Sequence, residues 1–194
     1  MIEVCSENFD GVWFGVACSS KQIVASSFGE TQQQTLSHVL GSLPFNSPFQ
    51  VLHQPTDVAK NALATVEAIF HGKDIQGCLN LALTRLPTYT QRVLKATEQI
   101  PLGYVTFYGS LAKAIGGGPR AVGNVMANNP FAPIVPCHRV VKTDFTLGGY
   151  GMGLKVKATI LGREKRGYQE STQVPVNGSS FEVYPVEFVL RNLA

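Results

Sequence analysis

The chain has 194 residues, of which 44% are hydrophobic and 15% are charged. This length allows one large domain or two small ones, and the composition is that of a globular protein with enough apolar side chains for a core. No stretch approaches the roughly 18 consecutive apolar residues of a membrane-spanning helix, which excludes that class and membrane partners. The N-terminus lacks a basic segment followed by an apolar one, so the expected location is cytoplasmic, nucleoid-associated or, in a eukaryote, nuclear.

The net charge of +3 is unevenly distributed along the chain. Residues 87–168 contain eleven Lys and Arg against three Asp and Glu, a net of +8, whereas residues 1–86 have a net of −3 and residues 169–194 a net of −2. A positive field confined to one segment is typical of a domain that binds a polyanion. The same three ranges are the predicted divisions: an N-terminal scaffold domain, a domain with the functional site, and a C-terminal extension.

The cysteines are not spaced as metal ligands. The chain contains no Cys-x-x-Cys pair and its four histidines are scattered, so no metal site is expected. In a reducing compartment the thiols are expected to be free. A Cys5–Cys18 disulfide is left open by the sequence. The remaining two cysteines are Cys78 and Cys137.

The first 86 residues predict a small β-sheet with flanking helices. Residues 11–28 form two β-rich runs, and residues 49–53 predict a further short strand. Apolar residues at helical spacing predict a helix over Asp57–Phe70 and a shorter one over Thr31–Leu40. Leu79–Leu83 is interpreted as an edge strand or a linker. No functional site is expected in this part of the chain.

A pair of short helices follows a predicted helix at residues 90–100. The first spans Tyr108–Ile115, the second spans Pro119–Asn128, and a triple glycine connects them, which predicts a helix-turn-helix motif. The outward face of the second helix has little bulk and one long cation, which suits close approach to a partner. Packing of that face on another helix is the alternative. The face comprises Arg120, Gly123, Asn124 and Ala127.

The loop at residues 129–141 contains a cysteine beside a histidine and is stiffened by three prolines. Cys137 is a candidate nucleophile, which reacts as the thiolate and therefore needs a base. Consecutive side chains of an extended segment point to opposite sides, so His138 is expected to act on Cys137 through a water. Glu164 opposes the helix macrodipole at its position and is a candidate to orient the imidazole, the alternative being an ion pair with Lys165 or Arg166.

The last elements predicted are a helix and a hairpin. The helix spans Leu154–Lys165, with Leu154, Ala158 and Leu161 on its core stripe and Lys157 off that stripe. An Asn-Gly pair between two β-rich runs predicts a hairpin over residues 173–183, and Pro185–Leu193 predicts a short closing helix. The sequence assigns no function to this tail.

One set of motifs resembles the active-site signature of the O6-alkylguanine-DNA alkyltransferase family, also called methylated-DNA–protein-cysteine methyltransferases. The resemblance extends from about Thr90 to Gly167, and residues 1–86 fit the family's N-terminal domain in size and pattern. It implies an α+β, two-domain fold: a ribonuclease-H-like N-terminal sheet with flanking helices, and a mostly helical C-terminal domain with a helix-turn-helix. The motifs are Arg120-Ala121-Val122-Gly123, Asn129-Pro130 and Pro136-Cys137-His138-Arg139-Val140.

The resemblance implies direct DNA repair by a monomer, with double-stranded DNA containing O6-alkylguanine as the partner and no cofactor. Cys137 would take the alkyl group once, since a thioether is not hydrolysed at neutral pH. The second helix of the motif would enter the minor groove, and Arg120 would fill the space of the flipped guanine. Ala121, Gly123 and Asn124 would lie at the DNA interface.

The resemblance also implies roles for the residues around the thiol. The hydroxyl of Tyr108 would hydrogen-bond to a ring nitrogen of the departing guanine, and Asn129 would fix the turn before Cys137. Gly151 stands where the family commonly has serine, so only its amide can bind the guanine oxygen. Met152 replaces a usual glycine and is expected to narrow the pocket. The predicted pocket residues are Met126, Val140, Tyr150 and Gly151.

Two other functions are alternatives to alkyl transfer. A helix-turn-helix regulator would read base sequence, but the outward helix face offers only Arg120 and Asn124 for base edges, fewer than major-groove readout usually needs. A Cys-His hydrolase lacks an evident oxyanion arrangement and does not explain the helix-turn-helix.

Overall fold

The computed structural model describes residues 1–75 and 79–193. It is a mixed α+β structure with two four-stranded sheets. The chain divides into two compact units, one formed by Met1–Arg85 with Pro130–Ile134 and the other by Leu86–Asn129 with Val135–Ala194. The strands are β1 (Ile2–Phe9), β2 (Val12–Cys18), β3 (Ile23–Gly29), β4 (Phe49–Val51), β5 (Tyr104–Phe107), β6 (Val140–Val141), β7 (Thr172–Val176) and β8 (Ser179–Pro185). The α-helices in the described residues are α1 (Gln32–Gly41), α2 (Asp57–Phe70), α3 (Thr88–Glu98), α4 (Tyr108–Ile115), α5 (Pro119–Ala127), α6 (Leu154–Arg163) and α7 (Val186–Arg191).

The first unit contains a sheet of order β3-β2-β1-β4, in which β4 pairs with β1 in parallel and the other pairs are antiparallel. Helix α2 buries Leu63, Val66 and Phe70, and the Phe70 ring packs edge-on against Phe14 of β2 at 5.4 Å between centroids. Pro130–Ile134 belongs to this unit because its backbone bonds to β3. Ser26 donates its N–H to the Pro130 carbonyl at 2.8 Å and its hydroxyl to the Ala132 carbonyl at 3.0 Å.

The second unit contains a sheet of order β6-β5-β8-β7. Residues 87–168 are mostly helical and contain the two short strands β5 and β6. Strand β5 was not predicted, so the sheet that it forms with β6 and the tail hairpin was missed. Strand β5 has four residues and β6 has two, too few for an alternating pattern to show in the sequence. The core of this unit joins β5, β6, α6 and α7 through Val105, Val141, Leu161, Val186 and Val189.

Several predicted elements agree closely with the structure. Helix α2 has the predicted bounds, and α4 and α5 follow each other across Gly116–Gly118 as expected. Strand β1 was not predicted. Leu79–Leu83 is not a strand, since Leu81 makes only an isolated bridge with Ile23.

The thiols of the first unit are buried and unpaired. Cys5 and Cys18 are free, and burial raises the pKa of both, that of Cys18 to about 12. Cys78 lies outside the described residues. Within the described ranges no group of three or more His, Cys, Asp or Glu is disposed to hold a metal ion. No helix of the described part of the chain is both long and apolar enough to span a bilayer.

The two threonines that precede α1 and α2 give a matched test of helix capping. Thr31 accepts the Gln34 N–H through its hydroxyl at 3.2 Å, whereas Thr56 makes no side-chain cap bond. We expect Thr31→Ala to lower the free energy of unfolding by about 1 kcal/mol. Thr56→Ala is the control and should cost less in the same urea titration. Equal losses would contradict the assigned cap.

Candidate active site

The turn that presents Cys137 is fixed by two hydrogen bonds to one carbonyl. Cys137–Arg139 forms a single 3-10 turn after Pro136, directly before β6. The Val135 carbonyl accepts the Cys137 N–H at 2.8 Å and the Asn129 side-chain amide at 2.9 Å. Asn129 therefore holds the turn before the cysteine.

A buried carboxylate organises the other two residues of this turn. His138 and Glu164 are fully buried, and His138 Nε2 lies 2.8 Å from Glu164 Oε1. Arg139 donates from Nε to Oε2 at 2.9 Å and from Nη2 to Oε1 at 2.8 Å, while its Nη1 donates to the Ile100 carbonyl at 2.7 Å. The predicted alternative partners of Glu164, Lys165 and Arg166, are not the ones found.

The protonation states of this cluster follow from its charges. Burial alone raises the pKa of the Glu164 carboxyl, but His138 and Arg139 outweigh it and lower that pKa to about 2. Burial lowers the pKa of His138, with Glu164 opposing the change. The carboxylate is thus an acceptor and the imidazole is neutral at pH 7, so Nε2 is the protonated nitrogen. Nδ1 is then the acceptor, and it is buried without a partner among the described residues.

Cys137 is a thiol rather than a thiolate in this environment. It is 5% exposed, and burial raises its pKa while Asn129 and Lys157 act in the opposite direction. A nucleophilic role therefore requires a base to remove the proton. The unprotonated Nδ1 of His138 is the basic atom that this turn offers.

Lys157 is the second buried charge of the site. It is 0% exposed, and its ammonium donates to the carbonyls of Val140 at 2.7 Å, Leu147 at 2.5 Å and Gly149 at 3.3 Å. Burial lowers the pKa of Lys157 to about 8. The three carbonyls fix the end of the cysteine turn against the loop that follows β6.

A cavity of about 570 Å³ opens beside Cys137, entirely within the second unit. In the cavity wall Tyr108 packs closely against Gly148. A Cβ on Gly148, where φ is +68°, would lie 3.1 Å from the Tyr108 hydroxyl. The Tyr150 hydroxyl is buried and has no partner among the described residues, so it is available to an occupant. The lining residues are Tyr108, Pro119, Arg120, Gly123, Met126, Ala127, Cys137, Lys142, Gly148, Gly149, Tyr150 and Gly151.

Helix α5 has one buried side and one exposed side. Val122, Val125 and Met126 are buried, whereas Arg120, Asn124 and Ala127 are exposed. In the preceding turn Gly117 has a φ of +107°, and a Cβ there would lie 2.5 Å from the Tyr89 hydroxyl. Glycine is thus required both by the backbone and by the packing of α3 against the turn.

The structure brings most of the predicted site residues together around the cavity. Asn129, His138 and Glu164 lie behind Cys137, and Ala121 and Asn124 lie on α5 beside the cavity-lining positions. Two expectations differ. Val140 does not line the cavity, because it is fully buried in β6, and Met152 is likewise outside the lining.

The site residues predicted from the sequence do not include Arg139 or Lys157, although Arg139 belongs to the motif Pro136-Cys137-His138-Arg139-Val140. The predicted core stripe of α6 was right at Leu161, which is fully buried, but wrong at Leu154, which is 50% exposed, and it left out the buried Lys157. The buried positions are Lys157, Ile160, Leu161 and Glu164. Their spacing of three, one and three residues is a helical stripe with a charge at each end, which is the signal that could have identified Lys157.

Comparison with known proteins gives one consistent family. The DNA-binding domain of 6-O-methylguanine DNA methyltransferase matches residues 88–166. A methylated-DNA–protein-cysteine methyltransferase of Mycobacterium leprae is 38% identical over 128 residues, which cover 65% of this chain and 71% of that protein. One of Pyrobaculum aerophilum is 55% identical over 65 residues, 34% of this chain but only 44% of that protein.

Solved structures resemble most of the chain. The O6-methylguanine methyltransferase of Mycobacterium tuberculosis has a TM-score of 0.66 at 28% identity, covering 85% of this chain and 93% of that chain. The same organism's OGT in complex with DNA has a TM-score of 0.65 at 26% identity, covering 84% of this chain and 92% of that chain.

The buried ammonium of Lys157 can be tested against its exposed neighbour Lys155 on the same helix. We expect Lys157→Met to lower the free energy of unfolding by about 3 kcal/mol, because buried carbonyls lose their donor. Lys155→Met should change it by less than about 0.5 kcal/mol. Denaturant titration of both variants measures the difference, and similar values would show that the Lys157 contacts contribute little.

Proposed function

Because this chain belongs to the methylated-DNA–protein-cysteine methyltransferase family, we propose that it repairs O6-alkylguanine in duplex DNA by transferring the alkyl group to Cys137. The observation that supports this most directly is that the buried Cys137 lines a cavity of about 570 Å³, while the next residue, His138, is hydrogen-bonded to Glu164 at the end of α6. The protein acts once, since the thioether product is stable.

The transfer is a single displacement at the alkyl carbon. His138 Nδ1 takes the Cys137 proton through a bridging water, and the thiolate attacks the carbon. The new S–C bond forms as the C–O bond to guanine breaks, and the electron pair stays on the guanine. Glu164 stabilises the imidazolium that results, in the manner of the third member of a catalytic triad.

The departing guanine anion needs a hydrogen-bond donor. Tyr108 lines the cavity with Cys137, and burial, followed by the charge of Cys137, raises the pKa of its hydroxyl. A hydroxyl that stays protonated can donate to a ring nitrogen of the leaving base and stabilise the developing charge. In this proposal the Tyr150 hydroxyl and the Gly151 amide also bind the flipped base.

DNA binding is assigned to a helix-turn-helix formed by α4 and α5 within a domain spanning residues 87–168. Support comes from the positive charge of this segment and from the low bulk of the exposed face of α5. In the minor groove, Arg120 replaces the flipped guanine in the stack, while Ala121, Gly123 and Asn124 lie against the backbone. Arg120 lines the mouth of the same cavity, which suits it to exchange places with the base.

We assign a ribonuclease-H-like fold to the first unit. The proposal is supported by its sheet order, three antiparallel strands followed by β4 parallel to β1, with α1 and α2 packed on the sheet. No catalytic role is proposed for this unit.

The transfer reaction gives the decisive measurement. Incubation with duplex DNA containing one O6-methylguanine should add a single methyl group to Cys137, with a yield that stops at one per protein molecule. Peptide mass spectrometry locates the methyl group, and Cys5 and Cys18 serve as internal controls that stay unmodified. Repeated turnover, or lesions that persist with Cys137 unmodified, would refute the proposal. Cys137→Ala should bind the same DNA without transfer.

The role of Arg120 is tested by comparing two substrates. Arg120→Ala should slow repair of duplex DNA by about 30-fold, because the flipped state loses its replacement for the base. Its reaction with free O6-benzylguanine should stay within about twofold, since no duplex is opened. Lys113→Ala removes the same charge from α4 and is the control: at saturating DNA it should leave the rates on both substrates within about twofold of those of the unmodified chain. Equal losses on both substrates would exclude the role.

A further inference from the structure

The C-terminal tail, residues 169–194, is built into the unit that contains the active site. It lies beyond the matched DNA-binding domain, which ends at residue 166. Its strand β8 pairs with β5, and β5 pairs in parallel with β6, the strand that directly follows the cysteine turn. The hydroxyl of Thr106 in β5 also donates to the Glu182 carbonyl of β8 at 2.7 Å. The tail therefore completes the sheet that supports Cys137.

One tail side chain reaches the end of the helix that carries Glu164. Glu187 on α7 is 7% exposed, and its Oε1 accepts the N–H of Gly167 at 2.5 Å and the N–H of Arg166 at 3.1 Å. Its Oε2 is buried without a partner among the described residues. A buried carboxylate with one unpaired oxygen lowers the stability of the folded state, and an apolar side chain in the same place would be more stable. The carboxylate is thus explained by the two amides it binds.

These amides fix the direction in which the chain leaves α6. Glu164 is the C-terminal cap of α6, and its own N–H donates to the Ile160 carbonyl at 3.1 Å. The chain then turns within three residues, with Gly167 at a φ of +78°. Glu187 binds the amides of Arg166 and Gly167, the last two residues of this reversal. It therefore anchors the chain two residues after Glu164 and limits movement of the end of α6, where the Glu164 side chain begins.

Apolar contacts connect the same tail helix to both sides of the Glu164–His138 pair. Val186 and Val189 of α7 share one buried cluster with Leu161 of α6 and Val141 of β6. Leu161 precedes Glu164 by one turn of helix, and Val141 lies three residues after His138. Helix α7 thus packs against the segments that supply the acid and the imidazole, and Glu187 adds a directional bond to that packing.

We infer that Glu187 is a positioning residue for alkyl transfer, which holds Glu164 against His138 by anchoring the chain at the end of α6. This inference rests on the proposed role of Glu164. Glu187 does not touch the reacting atoms. Its loss should slow the chemical step and leave DNA affinity unchanged, since α5 and Arg120 are on other elements.

The test measures single-turnover methyl transfer by the full-length protein at saturating concentrations, together with the dissociation constant for the same DNA. Glu187→Ala should lower the maximal rate constant about 10-fold and leave the dissociation constant within about twofold. Glu187→Gln keeps an acceptor oxygen and should recover most of the rate. Glu182→Gln, which removes the same charge from the tail without reaching α6, is the control and should react like the unmodified chain.

A double-mutant cycle separates positioning from general loss of stability. If Glu187 acts through Glu164, Glu187→Ala should slow the Glu164→Gln variant by less than about twofold. Additive losses, or a Glu187→Ala rate equal to that of the unmodified chain, would overturn the inference while the proposed function stands. An unmodified chain that transfers no methyl group would instead overturn the proposed function. If Glu187→Ala does not fold, Glu187→Asp, which keeps the charge but shortens the reach, replaces it in the same cycle.

Discussion

The buried carboxylate of Glu164 is the interaction on which the site depends. A carboxylate without solvent is strongly destabilising unless charged or hydrogen-bonding partners surround it, and here His138 and Arg139 supply them. Both partners come from a turn that lies 25 and 26 residues earlier in the chain. Because both side chains bind one carboxylate, that turn is held against the end of α6. Arg139 also donates a hydrogen bond to the Ile100 carbonyl. The geometry of Cys137 thus follows from an electrostatic requirement at the neighbouring positions.

Lys157 complements this arrangement from the other end of the same helical stripe. Its ammonium has no carboxylate partner among the described residues and donates to three carbonyls from β6 and the loop after it. The charge also lowers the pKa of the Cys137 thiol against the larger effect of burial. Helix α6 therefore contributes a cation that shapes the cavity wall and an anion that orients the base, with apolar residues between them. A single helix thus contributes to the form of the pocket and determines which ring nitrogen of His138 carries the proton.

The cavity wall and the exposed face of α5 both contain glycine, but the reason for glycine differs between the two places. Gly148 is needed because Tyr108 packs where a Cβ would lie, which brings the hydroxyl toward the cavity. Gly123 meets no such obstacle within the protein, since a Cβ there would enter open space. Its small size is consistent with close approach of a partner from outside, which agrees with the proposed DNA interface.

Local signals in the sequence determined much of this protein. The adjacent cysteine and histidine, the helix over Asp57–Phe70, the paired helices around three glycines and the Asn-Gly hairpin all follow from short patterns, and the structure contains each of these elements. The second sheet could not be predicted as a whole, because its strand β5 is too short to show alternation and the β5 partner β8 lies far along the chain. Likewise the positions of Arg139 and Glu187 depend on partners on other elements. For Lys157 the helical stripe indicates burial, but it does not indicate the carbonyls that accept from its ammonium. A charged side chain is buried only where the tertiary structure supplies its counter-charge or acceptors, and no local pattern encodes that supply.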